Sequence, residues 1–250
     1  MEPLHNKVAI VTGSSRGIGA ATAILLARAG ADVVINYHSS EKDALNVLAE
    51  VESVGRKGKI VQADVRNTED VKKLVDQTVS EFGKVDILIN NANINFAHKP
   101  FMEMSWDEFS SKLNNEMSSA FYLCQEVVPH MEKQGGGKIV LISSGLSRTP
   151  SPGFIAHGTA KAAIATFAKY LAQELGPKNI ATNVISPGLV LTDATKNQPS
   201  EVHEMLKNLT PLQRLAAPED IAGAILSLVA GWNNYINGAY IPVNGGNDMS

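Results

Sequence analysis

The feature that most restricts this chain is a rhythm in its apolar residues. Short runs of Val and Ile recur between longer stretches of helical spacing almost from end to end. The runs predict strands at 8–11, 33–36, 59–62, 85–90, 138–142, 180–185 and 239–243. They show little alternation of polar and apolar residues, which fits strands buried on both faces of a parallel sheet. The intervening segments predict helices at 17–29, 41–54, 68–82, 106–133 and 156–175. Thr68-Glu69-Asp70 reads as a capping residue with two acids at a helix start, where the dipole favours negative charge. Pro218-Glu219-Asp220 reads as another start, with proline in its first turn.

Strands alternating with helices require right-handed crossovers. The expected fold class is therefore α/β, a Rossmann-type doubly wound sheet of about seven parallel strands with helices on both faces. No linker, charge block, low-complexity tract or repeat divides the 250 residues, so a single domain over 1–250 is expected. The rhythm breaks between Pro187 and Pro218, where the chain is polar and rich in turns, with one short helix expected around 201–209. Long loops in compact domains are often functional. Residues 187–217 are read as a lid over a substrate, with Leu209, Pro211 and Leu212 as apolar lining.

Composition narrows the class of partner. Lys and Arg number 22 against 25 Asp and Glu, a formal net charge of −3, which leaves no concentrated positive charge for a nucleic acid. One cysteine, Cys124, excludes a disulfide framework and a cysteine-based zinc site, and the six histidines are too scattered for a metal tract. No metal is expected. No stretch reaches the roughly 20 apolar residues of a membrane span, and the polar residues 1–7 do not read as a signal peptide. The expectation is a cytoplasmic protein with a small-molecule substrate.

Thr12-Gly13-Ser14-Ser15-Arg16-Gly17-Ile18-Gly19 joins the first strand to the first helix. Glycines there allow a tight turn and let a pyrophosphate approach the helix N-terminus, where free N–H groups attract anions. A glycine-rich turn at that position predicts a dinucleotide site.

The spacing of this turn resembles that of the short-chain dehydrogenase/reductase family, and further matches follow in the family's order. They are Asp64-Val65, Asn90-Asn91-Ala92, Ser144, Lys161, Asn183, Pro187-Gly188 and Val243-Asn244-Gly245-Gly246, so the resemblance spans essentially the whole chain. It is similar above all to reductases of 3-oxoacyl thioesters. The resemblance implies that Gly13, Gly17 and Gly19 form the pyrophosphate turn, and Ser15, Arg16 and Ile18 within it are expected to bind the cofactor. It implies that Asp64 and Val65 flank the adenine, and that Asn90 and Ala92 lie on the adenosine ribose side. Lys161 would hold the nicotinamide ribose, and Pro187, Gly188, Val190 and Thr192 would meet the carboxamide. The second strand ends in Asn36-Tyr37-His38-Ser39-Ser40, without the acid that would accept a bond from an NAD ribose 2′-OH. With Arg16 in the turn, and Ser39 and Ser40 able to donate to a phosphate, NADP(H) is expected over NAD(H); Asn36, His38 and Ser39 are expected among the cofactor-binding residues.

At the reacting end the chain departs from the family. The usual tyrosine, four residues before the lysine, is His157 here. Phe154 stands seven residues before Lys161, where some enoyl reductases carry their tyrosine; Tyr122 and Tyr170 fall elsewhere. The family's asparagine maps to Glu116, yet the stretch 106–121 is about one helical turn longer than usual, so Asn115 and Glu116 both stay candidates. Asn93, Asn237 and Asn244 are further departures. Ser144, His157, Lys161 and either Glu116 or Asn115 form the candidate catalytic set. A histidine can donate or accept a proton, though imidazole ends about 2 Å short of a phenol, so direct contact or a bridging water is needed. Its cation is disfavoured by Lys161 and favoured by Glu116.

Three functions follow. The first is an NADP(H)-dependent carbonyl reductase or alcohol dehydrogenase with an altered proton donor. The second is an NADP(H)-binding partner protein without turnover. The third is a non-redox acid/base enzyme built on Ser144, His157 and Glu116. The helix at 156–175, rich in alanine around much of its circumference, implies burial on more than one side, and the resemblance implies a homodimer or homotetramer.

Overall fold

A computed structural model describes residues 2–192, 195 and 200–248. Seven parallel strands form one sheet in the order β3-β2-β1-β4-β5-β6-β7. The strands are β1 (Val8–Val11), β2 (Asp32–Tyr37), β3 (Gly58–Gln62), β4 (Ile87–Asn90), β5 (Gly137–Ile142), β6 (Ile180–Pro187) and β7 (Tyr240–Val243). The helices are α1 (Gly17–Arg28), α2 (Glu41–Ser53), α3 (Thr68–Phe82), α4 (Trp106–Lys133), α5 (Ile155–Leu175), α6 (Ser200–Leu209) and α7 (Pro218–Val229).

Because β1, β4 and most of β2 and β5 are buried, their Val and Ile side chains divide between two apolar layers. One layer holds Val11, Val33 and Ile35 with Ala23 and Leu26 of α1, Val47 of α2 and Ile225 of α7. The other holds Ile10, Val34 and Leu88 with Leu74 of α3, Leu123 and Val127 of α4 and Ile164 of α5. Chain order reverses between β1 and β4, and in open sheets of this kind ligands bind at the carboxyl ends of the strands at such a switch point. The glycine turn after β1 and the Asn90-Asn91-Ala92 turn after β4 meet there.

The helix starts differ from the sequence expectation at one point. Thr68 is the first residue of α3 and Asn67 is its cap, accepting the Asp70 N–H at 3.1 Å. An amide oxygen one residue earlier serves that N–H, so the threonine need not. Ser105 and Glu108 cap α4 reciprocally, and Asp220 accepts the Ala217 N–H at 2.8 Å at the start of α7. Elsewhere strand and helix limits shift by a residue or two; β6, for example, runs on to Pro187, which pairs with Val243.

Part of the segment 187–217, expected as a lid, lies outside the described residues, at 193–194 and 196–199. Leu209 and Leu212 are exposed. Among the described residues no helix is long and apolar enough to cross a membrane, and no cluster of His, Cys, Asp or Glu can hold a metal ion.

Candidate functional site

Gly13 and Gly17 have φ of +58° and +57°, the left-handed backbone that favours glycine. The tighter constraint is at Gly19, where a Cβ would stand 2.4 Å from the Gly13 carbonyl oxygen. Side chains after β4 brace the turn. Asn91 Nδ2 donates to the carbonyls of Thr12 and Gly13 at 2.9 and 3.2 Å, and Ala92 N donates to Thr12 Oγ1 at 3.0 Å. Asn90 Oδ1 accepts from Thr12 and Ser119 hydroxyls.

Asn36 does not face the cleft as expected. It is buried, its Oδ1 accepts the Gly13 N–H at 3.1 Å and its Nδ2 donates to the Ala63 carbonyl at 3.1 Å. Its position on β2 turns the amide inward, where it links the ends of β1 and β3. His38 and Ser39 are exposed on the rim, and the Arg16 side chain, at the N-cap of α1, is also exposed. Asp64 receives Arg66 on both carboxylate oxygens, at 2.6 to 3.1 Å. The Arg66 hydrogen bonds hold its carboxyl down at about 2 against the opposing effect of burial. Val65 and Val190 are buried, Pro187 ends β6, and Gly188 N donates to the Val243 carbonyl. Thr192 faces Gly17 across the cleft. A cavity of about 610 Å³ opens there, lined by Gly17, Ala20, Ile24, Leu191, Thr192 and His203 among others; Ser144, His157 and Lys161 are not in its wall.

The choice between Asn115 and Glu116 has a clear geometric outcome. Asn115 hydrogen-bonds Ser111 Oγ at 3.1 Å on the outer side of α4, whereas Glu116 is buried. The buried stripe of α4 runs Lys112, Glu116, Ser119, Ala120, Leu123, Val127 and Met131, so helical phase alone sends Glu116 in and Asn115 out.

Glu116 lies between two ammonium groups. Its Oε1 accepts from Lys161 Nζ and its Oε2 from Lys112 Nζ at 2.5 Å. Lys161 also donates to the Ile142 carbonyl at 2.9 Å. Lys112 also donates to the Ile94 carbonyl at 2.7 Å, and its Nζ lies 5.3 Å from the Phe96 ring centroid. Burial opposes ionisation of Glu116, but Lys161 and Lys112 together outweigh it and hold its carboxyl below the usual carboxylate range. For Lys112 burial dominates and lowers its pKa, with Glu116 opposing and Lys161 assisting. Sequence reading missed Lys112 and Phe96. Stepping back seven and eleven residues from Leu123 along the buried stripe would have reached Glu116 and Lys112.

His157 stacks on Phe96 with ring centroids 4.6 Å apart and planes 25° apart. Its Nδ1 is buried without a hydrogen-bond partner. Burial, then Lys161 and Lys112, push its pKa down to about 3, with Glu116 opposing. The side chain is therefore neutral imidazole near pH 7. A lone pair costs less than an N–H at the unpartnered Nδ1, so the proton belongs on Nε2. Ser144 is half-buried, and its Oγ accepts the Leu146 N–H at 3.3 Å, leaving its hydroxyl hydrogen uncommitted. Ser144, His157 and Glu116 do not form a nucleophile–base–orienter chain. Glu116 is turned to the lysines, and no hydrogen bond joins Ser144 to His157 among the described residues.

A parallel sheet with a glycine turn at its switch point defines a doubly wound fold of the dinucleotide-binding type. The family model described as Enoyl-(Acyl carrier protein) reductase matches residues 13–248. The chain belongs to the short-chain dehydrogenase/reductase family. It is 37% identical over 244 residues to the 7alpha-hydroxysteroid dehydrogenase of Escherichia coli strain K12, covering 97% of this chain and 94% of that one. It is 33% identical over 241 residues to a 3-oxoacyl-[acyl-carrier-protein] reductase of Staphylococcus epidermidis, covering 96% and 98%. A mutant short-chain dehydrogenase/reductase of Serratia marcescens superimposes with a TM-score of 0.92 at 35% identity, over 98% and 99% of the two chains. A short-chain dehydrogenase of Burkholderia cenocepacia J2315 in complex with NADP gives 0.91 at 33% identity, with the same coverage.

Proposed function

We propose that this chain is an NADP(H)-dependent carbonyl reductase or alcohol dehydrogenase in which a neutral histidine replaces the family's phenol. The observation that carries the reading is the pairing of a braced glycine turn with a lysine held between Glu116 of α4 and the end of β5. A Cβ at Gly19 would strike the turn, and two of the three Lys161 N–H groups are committed, leaving one donor for a ribose hydroxyl.

In this reading Gly13, Gly17 and Gly19, with Ser15 and Ile18 between them, hold the pyrophosphate at the α1 N-terminus, and Arg16 reaches toward the ribose 2′ position. Asp64, Val65, Asn90 and Ala92 line the adenosine, and Pro187, Gly188, Val190 and Thr192 line the nicotinamide end. When bound, the nicotinamide supplies hydride transfer between its ring and a carbonyl or secondary alcohol. Preference for the 2′-phosphate rests on Arg16, whose side chain has no hydrogen bond or ion pair among the described residues, on Ser39 and His38 at the rim, and on the absence of an acid at the end of β2. The NADP-bound relative from Burkholderia is consistent with it.

The Ser144 hydroxyl and the His157 Nε2–H donate to the substrate oxygen. A neutral imidazole with a depressed pKa acts as an electrophile of this kind in triosephosphate isomerase. It polarises the carbonyl without carrying charge, and the substrate oxygen takes its proton from bulk solvent, one H+ being consumed for each carbonyl reduced. Phe96, Phe154 and His98 extend an aromatic wall from His157, which suits a small apolar ketone or an acyl thioester. The test is NADPH oxidation with a panel of ketones and 3-oxoacyl thioesters, on the parent, His157→Phe and His157→Tyr. His157→Phe should lose about 100-fold or more in kcat with little change in NADPH affinity. Full activity would remove His157 from the mechanism. NADPH binding without turnover of any substrate would instead mark a cofactor-binding partner protein.

A further inference from the structure

Five side chains close a circuit around the reacting end. Lys161 binds Glu116, Glu116 binds Lys112, Lys112 lies over Phe96, Phe96 stacks on His157, and His157 stands one helical turn before Lys161. The Lys112 side chain is fully buried, and its ammonium bonds Glu116 and the Ile94 carbonyl and lies over the Phe96 ring. A buried ammonium is costly unless paired and hydrogen-bonded, and here both conditions are met. The family resemblance gives it no role.

We infer that Lys112 is a positioning residue for the nicotinamide end of the site, holding the Glu116 carboxylate against Lys161 and the Phe96 ring against His157. The inference rests on the reading of Lys161 as the ribose-binding group. Its logic is geometric. Glu116 spans two partners with its two oxygens, which fixes the carboxylate plane and hence the direction of the Oε1 that receives Lys161. A second fixed acceptor, the Ile142 carbonyl, then leaves the remaining Lys161 N–H one direction in which to point. Without Lys112, Oε2 would be a buried acceptor with no partner and the carboxylate would be free to turn. The same ammonium anchors the loop after β4 through Ile94 and Phe96, so one side chain sets both Lys161 and His157. The charged and titratable groups facing Glu116 are Lys112 on its own helix and Lys161 on α5, with His157 beside them on α5.

The test measures NADPH dissociation constants between pH 5 and 9, with thermal midpoints, for the parent, Lys112→Met, Lys112→Arg, Glu116→Asn and the double variant Lys112→Met/Glu116→Asn. Lys112→Met should weaken NADPH binding about tenfold at pH 7, the size of a coupling between contacting residues. It should weaken further as the pH falls and Glu116, short of one ammonium, takes up a proton. Glu116→Asn and the double variant should bind NADPH within about threefold of Lys112→Met, because Lys112 acts on Lys161 through the Glu116 carboxylate and the two losses do not add. A purely structural role predicts a lower midpoint with NADPH affinity within about twofold of the parent at every pH; that result would overturn the inference. If Lys112→Met fails to fold, Lys112→Arg, which keeps the charge but not the shape, and the double variant decide by the same readouts. Failure of the parent itself to bind NADPH would overturn the underlying reading and this inference with it. Tight parental binding that Lys112 does not affect would overturn the inference alone.

Discussion

Replacing His157 by Phe should change how stability depends on pH, by an amount that follows from the site. Burial and two nearby ammonium groups bring the His157 pKa from 6.5 to about 3. Between those values the unfolded chain binds a proton at this residue that the folded chain does not. Folding stability from this residue is therefore fully present above pH 6.5 and is lost as the pH falls toward 3. The slope is about 1.4 kcal/mol per pH unit, so the residue should cost about 2 kcal/mol on going from pH 6.5 to pH 5. Phenylalanine keeps an aromatic ring against Phe96 and does not titrate. Urea unfolding of both proteins between pH 7 and pH 5 isolates the effect, because the other carboxylates and histidines contribute to both curves. The parent's stability advantage over His157→Phe should fall, or its deficit grow, by about 2 kcal/mol over that range. Parallel curves would show that His157 titrates normally in the fold. The neutral-imidazole reading would then be wrong, and a charged His157 would again be available as a proton donor.

Other substitutions probe the rest of the site. Arg16→Ala should weaken NADPH binding by about tenfold or more, the loss of a charge-assisted contact, and leave NADH binding unchanged; equal losses for both cofactors would remove Arg16 from the 2′ position. Gly19→Ala should abolish detectable binding of either cofactor in a fluorescence titration, because its Cβ would stand 2.4 Å from the Gly13 carbonyl oxygen and open the turn. Asn115→Ala should unfold within about 0.5 kcal/mol of the parent and retain its turnover, since among the described residues its amide bonds Ser111 on the outer side of α4. A large loss of activity would reopen the choice between Asn115 and Glu116.

The sheet was legible because each buried strand is a short Val and Ile run that a parallel sheet needs and a surface helix would not tolerate. The cofactor turn was legible because glycine spacing is itself a backbone specification. What sequence could not resolve was direction. Asn36 is a polar residue at a strand end, and only the fold sends its amide inward to Gly13 and Ala63. Lys112 and Glu116 have the i, i+4 spacing of a solvent-exposed helical pair, and the polar residues around them conceal the apolar stripe that continues from Leu123. The depressed pKa of His157 was anticipated from Lys161 and opposed by Glu116, as found, but the unseen Lys112 adds to the depression.

The circuit around Glu116 also restricts the order in which such a pocket can be assembled or dismantled by single substitutions. A glutamate entering beside Lys161 finds a counter-ion already in place. A lysine entering first at position 112 would be a buried cation without one, a change that costs several kcal/mol. Ancestors on the line leading to this chain should therefore have carried Glu116 before Lys112, and reconstructed sequences can be read for that order. The return path runs in reverse. Reversion of Glu116 to the family's asparagine is penalised while Lys112 remains, so the departure from the common active site behaves as a ratchet.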